Sequence, residues 1–296
     1  MALLPLICLL ALGYTLRRSK FLSAEFWAGA ERLNYFILFP ALLFNNLAFV
    51  ELSLKSLTWV LLTMLLTIAL VSAGFWVLKH IFAIRAEQFA VYVQSHIRFN
   101  TYIGLALVGS LFGSDGVKMF AMMIATAIPT VNIISLLAFS QQNSHWTTNG
   151  LAVLKNPLIL GCLAGVLFNL TGFKLLSGIE DLIRLLANVS LPLGLLAVGA
   201  ALQFQALKQD IWRLGLNSVG RLIVVPLIAY AVAQLLALSQ FESLVITLFF
   251  ALPTASSSYI LTRYLNGDYK LMAGVISLQT LLFVLSFPGL MYILEL

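Results

Sequence analysis

The sequence predicts an all-α polytopic membrane protein. Ten transmembrane helices form two inverted five-helix repeats, with matched breaks in helices 4 and 9. Three observations predict this. The chain is 61% hydrophobic and 9% charged, with mean hydropathy +1.01, whereas soluble domains carry about 25% charged residues. A shift of 152 or 153 positions lays rare residue types of one half on the same types in the other. An apolar run is interrupted in mid-span by Pro253-Thr254-Ala255-Ser256-Ser257-Ser258.

At about 20 residues per spanning helix there is room for about ten spans and short loops. The first span covers residues 2–16 and is followed by Arg17, Arg18 and Lys20, the reverse of a cleavable signal peptide. The second covers residues 33–50, with Pro40, Asn45 and Asn46, and the third residues 57–78, ending at Lys79, His80 and Arg85. The fourth covers residues 89–112 and carries His96, Arg98 and Asn100. Gly113-Ser114-Asp115-Gly116 reads as a turn, and the fifth span, residues 119–139, contains Pro129 and Asn132.

The stretch from Gln141 to Gly150 is strongly polar. It predicts a cytoplasmic linker over residues 141–155, between a first repeat over 1–140 and a second over 156–296. The later spans cover residues 157–170, 185–202, 212–238, 244–264 and 271–294, the eighth of them with Asn217, Arg221 and Pro226. Under the shift, Pro5 falls on Pro157, Gly13 on Gly165, Pro40 on Pro192, Trp59 on Trp212 and Asp115 on Asp268. Asn100 falls on Pro253, so the interrupted run in the second half has a partner in the first.

An odd number of spans per half makes the second half enter the membrane from the opposite side. Basic residues test this separately. With the N-terminus outside, the inner loops collect Arg17, Arg18, Lys20, Lys79, Arg85, Lys155, Lys208, Arg213, Arg263 and Lys270. The outer loops collect Lys55, Lys118, Lys174 and Arg184. Cytoplasmic loops are the basic ones, so both termini are expected outside a bacterial-type inner membrane. The same rule accounts for the net charge of +6 without nucleic acid.

Proline removes a backbone donor and breaks a helix. In hydrocarbon, the freed groups survive only inside protein or beside a water-lined cavity. Matched breaks in two inverted halves mark a transporter site at the midplane, though a packing kink is the simpler reading of a lone proline. Half-helix N-termini suit anions and half-helix C-termini suit cations. Asn100, Thr101, Pro253, Thr254 and Ser256 are the candidate substrate-binding positions, with Ser257 and Ser258 beside them.

Arg98 and Arg221 lie within spans that hold no Asp or Glu as drawn. A carboxylate from the substrate would supply the missing partner. Snorkelling to the inner edge, or bonds to backbone carbonyls, are the alternatives. His96 is the candidate proton-coupling group, its other reading being structural. Asn45, Asn46, Asn132, Gln279 and Thr280 would line a path or simply join helices.

Cys8 and Cys162 read as small buried hydrophobes. No metal-ligand spacing, phosphate loop or nucleophile motif appears, so neither cofactor nor metal nor enzymatic activity is expected.

The chain resembles the auxin efflux carrier family of membrane transporters, in its bacterial branch. The resemblance is carried by Lys155-Asn156-Pro157, Leu191-Pro192-Leu193-Gly194 through Gly199-Ala200-Ala201-Leu202, Ala251-Leu252-Pro253 with the segment from Tyr264 to Asp268, and Asn100-Thr101 with the Gly113 turn. It spans most of the chain. Where family members often place a proline beyond the asparagine, this chain has Ala106 and Leu107.

The resemblance implies ten spans with broken, crossing helices 4 and 9, a scaffold of helices 1, 2, 6 and 7, a transport unit of helices 3–5 and 8–10, and elevator-type alternating access. It also implies organic-anion substrates such as malate, malonate or indole acetate. The expected function is therefore a secondary active transporter of a small carboxylate. The first alternative is a sodium-coupled organic-anion symporter of the bile-acid type. The second is a membrane sensor that binds solute without moving it. Expected partners are the organic anion, membrane lipid, a coupling proton or sodium ion, and a second copy through the apolar faces of spans two and seven.

Overall fold

The computed structural model describes residues 3–48, 54–139, 156–173, 175–208 and 210–294. The described residues are helical, without strands. The predicted linker over residues 141–155 lies outside the described residues.

The helices are α1 (Leu3–Arg18), α2 (Ala24–Leu33), α3 (Phe39–Ala48), α4 (Leu54–Phe82), α5 (Ala86–Ile97), α6 (Thr101–Phe139), α7 (Pro157–Thr171), α8 (Ser177–Ala201), α9 (Ile211–Val219), α10 (Val225–Leu235), α11 (Gln240–Ala251), α12 (Ser257–Tyr264) and α13 (Tyr269–Ile293). Single π-helical turns, Asn34–Leu38 and Gly220–Val224, join α2 to α3 and α9 to α10.

Among the described residues, five helical segments are long and apolar enough to cross a membrane: Leu57–Phe82, Ala86–Phe139, Gly178–Ala201, Ile211–Leu235 and Tyr269–Ile293. Pro157–Thr171 and Gln240–Ala251 are shorter apolar helices. The segment Ala86–Phe139 has 54 residues, and at about 1.5 Å per residue it is far longer than the roughly 30 Å bilayer core. It is interrupted at residues 98–100, and again at Gly113, where φ is +61° and ψ −151°. That conformation suits only glycine. The four-residue turn expected there contracts to this one position. Asp115 and Lys118, 3.1 Å apart, continue the helix as an exposed i,i+3 pair.

Two span boundaries need correction. The second helical run begins at Ala24, well before residue 33, because Ser23 caps it by accepting the Phe26 N–H at 3.2 Å. The eighth helix, α8, begins at Ser177 rather than residue 185. Both early turns carry charge (Glu25, Glu31 and Arg32; Glu180, Asp181 and Arg184), which hid them from a hydropathy reading. Acids therefore lie within α2 and α8, and the helices around the breaks also carry them outside the spans as drawn: Glu87 and Glu242 in the first turns of α5 and α11, and Asp115 in α6.

The chain divides into two compact units. The first gathers the described residues of Met1–Leu54, Leu105–Pro129 and Thr147–Ala201. In it α1 packs on α8, and α3 packs on α7 and α8. Glycines set these distances. A Cβ on Gly13 would stand 2.0 Å from the Leu196 carbonyl oxygen, and one on Gly199 would stand 2.1 Å from that of Leu10. A Cβ on Gly165 would lie 3.0 Å from the Phe44 carbonyl oxygen. Positions 13 and 165, and 44 and 196, are each 152 apart, so Gly13 on Leu196 and Gly165 on Phe44 are one contact with the halves exchanged.

Asn34 and Ser190 key the same unit by donating to each other's oxygens, at 3.0 Å and 2.8 Å. Gly13→Ala should force α1 off α8. Overpacking of this kind costs about 1–3 kcal/mol, a melting point lowered by roughly 5 °C. An unchanged melting curve in detergent would show that the close approach is not what holds α1.

The second unit gathers the described residues of Lys55–Gly104, Thr130–Trp146 and Leu202–Leu296. α10 packs on α11, and α13 packs on α5, α9 and α12. Asp268 caps α13 by accepting the Leu271 N–H at 3.0 Å, and Asn266 before it takes φ +56°, as a turn residue should. All the breaks described next lie within this unit.

Candidate functional site

Two helices stop and restart in the second unit. α11 ends at Ala251, and Leu252 is extended (φ −62°, ψ 144°). The residue before a proline is pushed out of the helical region, so Pro253 explains this break locally. α12 resumes at Ser257. α5 ends at Ile97, and Arg98 is extended (φ −85°, ψ 140°) with no proline nearby. Here Asn100 does the work. Its Oδ1 accepts the Ile103 N–H at 3.2 Å and its carbonyl accepts the Gly104 N–H at 3.0 Å, which makes it the N-cap of α6.

The two breaks touch. The Asn100 N–H donates to the Pro253 carbonyl at 2.9 Å, joining the two positions paired by the 153-residue shift. Arg221, fully buried on the π-helical turn between α9 and α10, donates to both segments. Its Nε reaches the Leu252 carbonyl at 2.8 Å and its Nη1 reaches the His96 carbonyl. No carboxylate pairs with it among the described residues. Its Nη2 has no hydrogen-bond partner, and neither do Asn100 Nδ2 and Ser258 Oγ, all of them buried. Unpaired buried donors are costly, commonly about 1–3 kcal/mol each. Such groups in a native fold call for a ligand or water.

A buried polar chain stiffens the breaks. Thr254 gives its N–H and its hydroxyl to Gln279 Oε1, at 2.9 Å and 2.7 Å. Its Oγ1 also lies 2.8 Å from the Ser95 carbonyl. Gln279 Nε2 donates to Asn217 Oδ1 at 2.9 Å, and Asn217 Nδ2 to Ser95 Oγ at 2.9 Å. His96 is buried beside it. Its Nδ1 lies 2.8 Å from the Tyr92 carbonyl, which accepts only, so Nδ1 is the protonated nitrogen. A Cβ on Gly220 would stand 2.6 Å from His96 Nε2, so glycine is what lets the imidazole sit against the π-helical turn.

Of the predicted positions, Asn100, Pro253, Thr254 and Arg221 come together. Thr101 and Ser256 are half-buried next to them, and Ser257 is exposed. Arg98 is half-buried and is held by amide oxygens, Gln94 Oε1 at 3.1 Å and Asn132 Oδ1. Asn132 therefore accepts from an arginine within the same unit. Thr280 bonds its own helix, at the Ile276 carbonyl. Asn45 is half-buried on α3 of the first unit, beside Asn46, whose Nδ2 has no partner. Ser95 and Gln94 were missed by the sequence reading. Their one signal was polarity inside an apolar span, which amides and hydroxyls joining helices produce equally.

The chain is similar to known transporters. An uncharacterized transporter of Methanothermobacter thermautotrophicus is 25% identical over 292 residues, covering 96% of this chain and 95% of its own. An uncharacterized transporter of Methanocaldococcus jannaschii is 26% identical over 211 residues, 68% of this chain and 67% of its own. The model of a family described as membrane transport protein matches residues 1–149 and 147–291. This multi-pass membrane protein thus belongs to that transporter family, the auxin efflux carrier family of the sequence reading.

Proposed function

We propose that the chain is a secondary carrier that binds a small organic anion at the two breaks and moves it by elevator-type alternating access. One observation carries the reading. Asn100 and Pro253 are joined at 2.9 Å, and the residues around them keep two buried donors, Asn100 Nδ2 and Arg221 Nη2, with no acceptor. Both groups donate only, and one is cationic, so a carboxylate is the complementary guest. The N-terminal ends of α6 and α12 add their dipoles in the same sense.

The inverted ten-span arrangement is part of the proposal. The exchanged glycine contacts of the first unit and the paired breaks of the second support it. So does the division of the chain: α1–α3, α7 and α8 fall in one unit, and α4, α5 and α9–α13 in the other. These are the scaffold and the mobile unit of the proposed elevator, with residues 105–129 grouped with the scaffold. An inner membrane with both termini outside is also part of the proposal, and the basic loops support that orientation.

Counterflow in proteoliposomes with labelled malate, malonate and indole acetate tests the reading. Uptake of at least one of them, lost in the Asn100→Ala/Pro253→Ala double variant, is expected. Binding that survives the double variant would remove the site from the breaks. Binding without flux would make the protein a sensor.

A further inference from the structure

We propose that Arg221 is a built-in cation that takes the place of a coupling sodium ion at the two breaks, so that anion binding by this chain needs no sodium. The proposal rests on the reading of the breaks as the transport site.

The last carbonyls of a helix have no intrahelical partner, and its C-terminus carries roughly half a negative charge. Two such ends, those of α5 and α11, meet here. In transporters, carbonyls at half-helix C-termini and unwound backbone are what hold a sodium ion. In this chain they already accept from protein donors. The Gln94 carbonyl takes the Arg98 N–H at 2.8 Å, and the Ser95 carbonyl lies 2.8 Å from Thr254 Oγ1. The His96 and Leu252 carbonyls take the two guanidinium donors, and the Pro253 carbonyl takes the Asn100 N–H.

The guanidinium cannot be deprotonated in a protein, so the charge is permanent. A second cation within about 4 Å of it would bind about a thousandfold more weakly at an effective dielectric constant of about 20. No cluster of three or more acidic, His or Cys side chains exists among the described residues to offset that repulsion. The cation comes from one half only. The position 153 before Arg221 is Ile68, a buried residue of α4, so one charge serves both breaks.

The test is a thermal melt of the purified full chain in detergent, without any carboxylate. NaCl is compared with KCl and choline chloride at equal ionic strength. The wild type and Arg221→Lys should melt at the same temperature in all three. Arg221→Gln, which removes the charge and vacates carbonyl oxygens, should gain a saturable, sodium-specific rise of several degrees. A sodium-specific rise in the wild type, or a folded Arg221→Gln that does not respond, overturns the proposal. If Arg221→Gln does not fold, the other two proteins decide: a sodium response in either overturns it, and none in either supports it. No substrate enters these melts, so the result stands even if the carboxylate panel finds no ligand. Conversely, sodium-dependent uptake of a carboxylate would overturn the built-in cation and leave the anion carrier intact.

Discussion

Replacing Arg221 by methionine should weaken carboxylate binding by at least about a hundredfold, equivalent to about 3 kcal/mol, while the melting temperature moves by only a few degrees. The two effects separate because they have different origins. Burying a guanidinium without a carboxylate costs several kcal/mol even after relaxation. Methionine removes that cost but abandons two carbonyls, His96 and Leu252, each worth about 1–3 kcal/mol when left unpaired. These terms nearly cancel, so the fold loses little. Binding has no such cancellation. The third nitrogen, Nη2, makes no bond in the free protein and is available only to the guest. Truncating one member of a buried charged pair commonly costs about 2–5 kcal/mol.

The measurement is a pair of curves on the same preparation: melting in detergent, and titration with whichever of malate, malonate and indole acetate the wild type binds most tightly. A steep fall in melting temperature with unchanged affinity would make Arg221 a staple between two helix ends and nothing more.

What the sequence made legible follows from how local each cause is. The break at Pro253 was readable because proline acts on its own turn. The break at Asn100 was not readable locally, since asparagine is also tolerated inside spans. It surfaced only through its pairing with Pro253, and its cause is a cap plus one long-range bond. Arg221 was recognisable as an expensive residue without an acid, yet its partners are backbone carbonyls of residues 125 and 31 positions away. Backbone acceptors leave no mark in a sequence. The Thr254–Gln279–Asn217–Ser95 chain stayed hidden for a related reason: each member is an ordinary helix-joining side chain, and only the fold sets them end to end. The early starts of α2 and α8 were missed because charged, amphipathic turns look like loops to a hydropathy window.

Asn100→Asp should abolish carboxylate binding while leaving the break intact, and this separates charge from packing at the second unpaired donor. The side chains are nearly isosteric, and Asp caps a helix about as well as Asn. The bond from the Ile103 N–H and the bond from the Asn100 N–H to Pro253 are both retained. Only the free Nδ2 changes, from a donor to a carboxylate oxygen. Asn100 and Arg221 bond the consecutive carbonyls of Pro253 and Leu252. A carboxylate introduced there would repel the guest and, if it reaches Nη2, would satisfy the guanidinium from within the chain.

Asn100→Ala, by contrast, loses the cap, about 1 kcal/mol of stability, and one hydrogen bond to the charged guest, about 1.5 kcal/mol or tenfold in affinity at the low end of such bonds. The expected order of affinities is therefore wild type, then Ala about tenfold weaker, then Asp more than a hundredfold weaker. The expected order of melting temperatures puts Ala lowest. A side chain that served only as a packing or capping element would reverse the first order, because Asp preserves shape and cap where Ala does not. Affinity for the Asp variant equal to or above that of the Ala variant would show that the guest does not meet Asn100 as an anion.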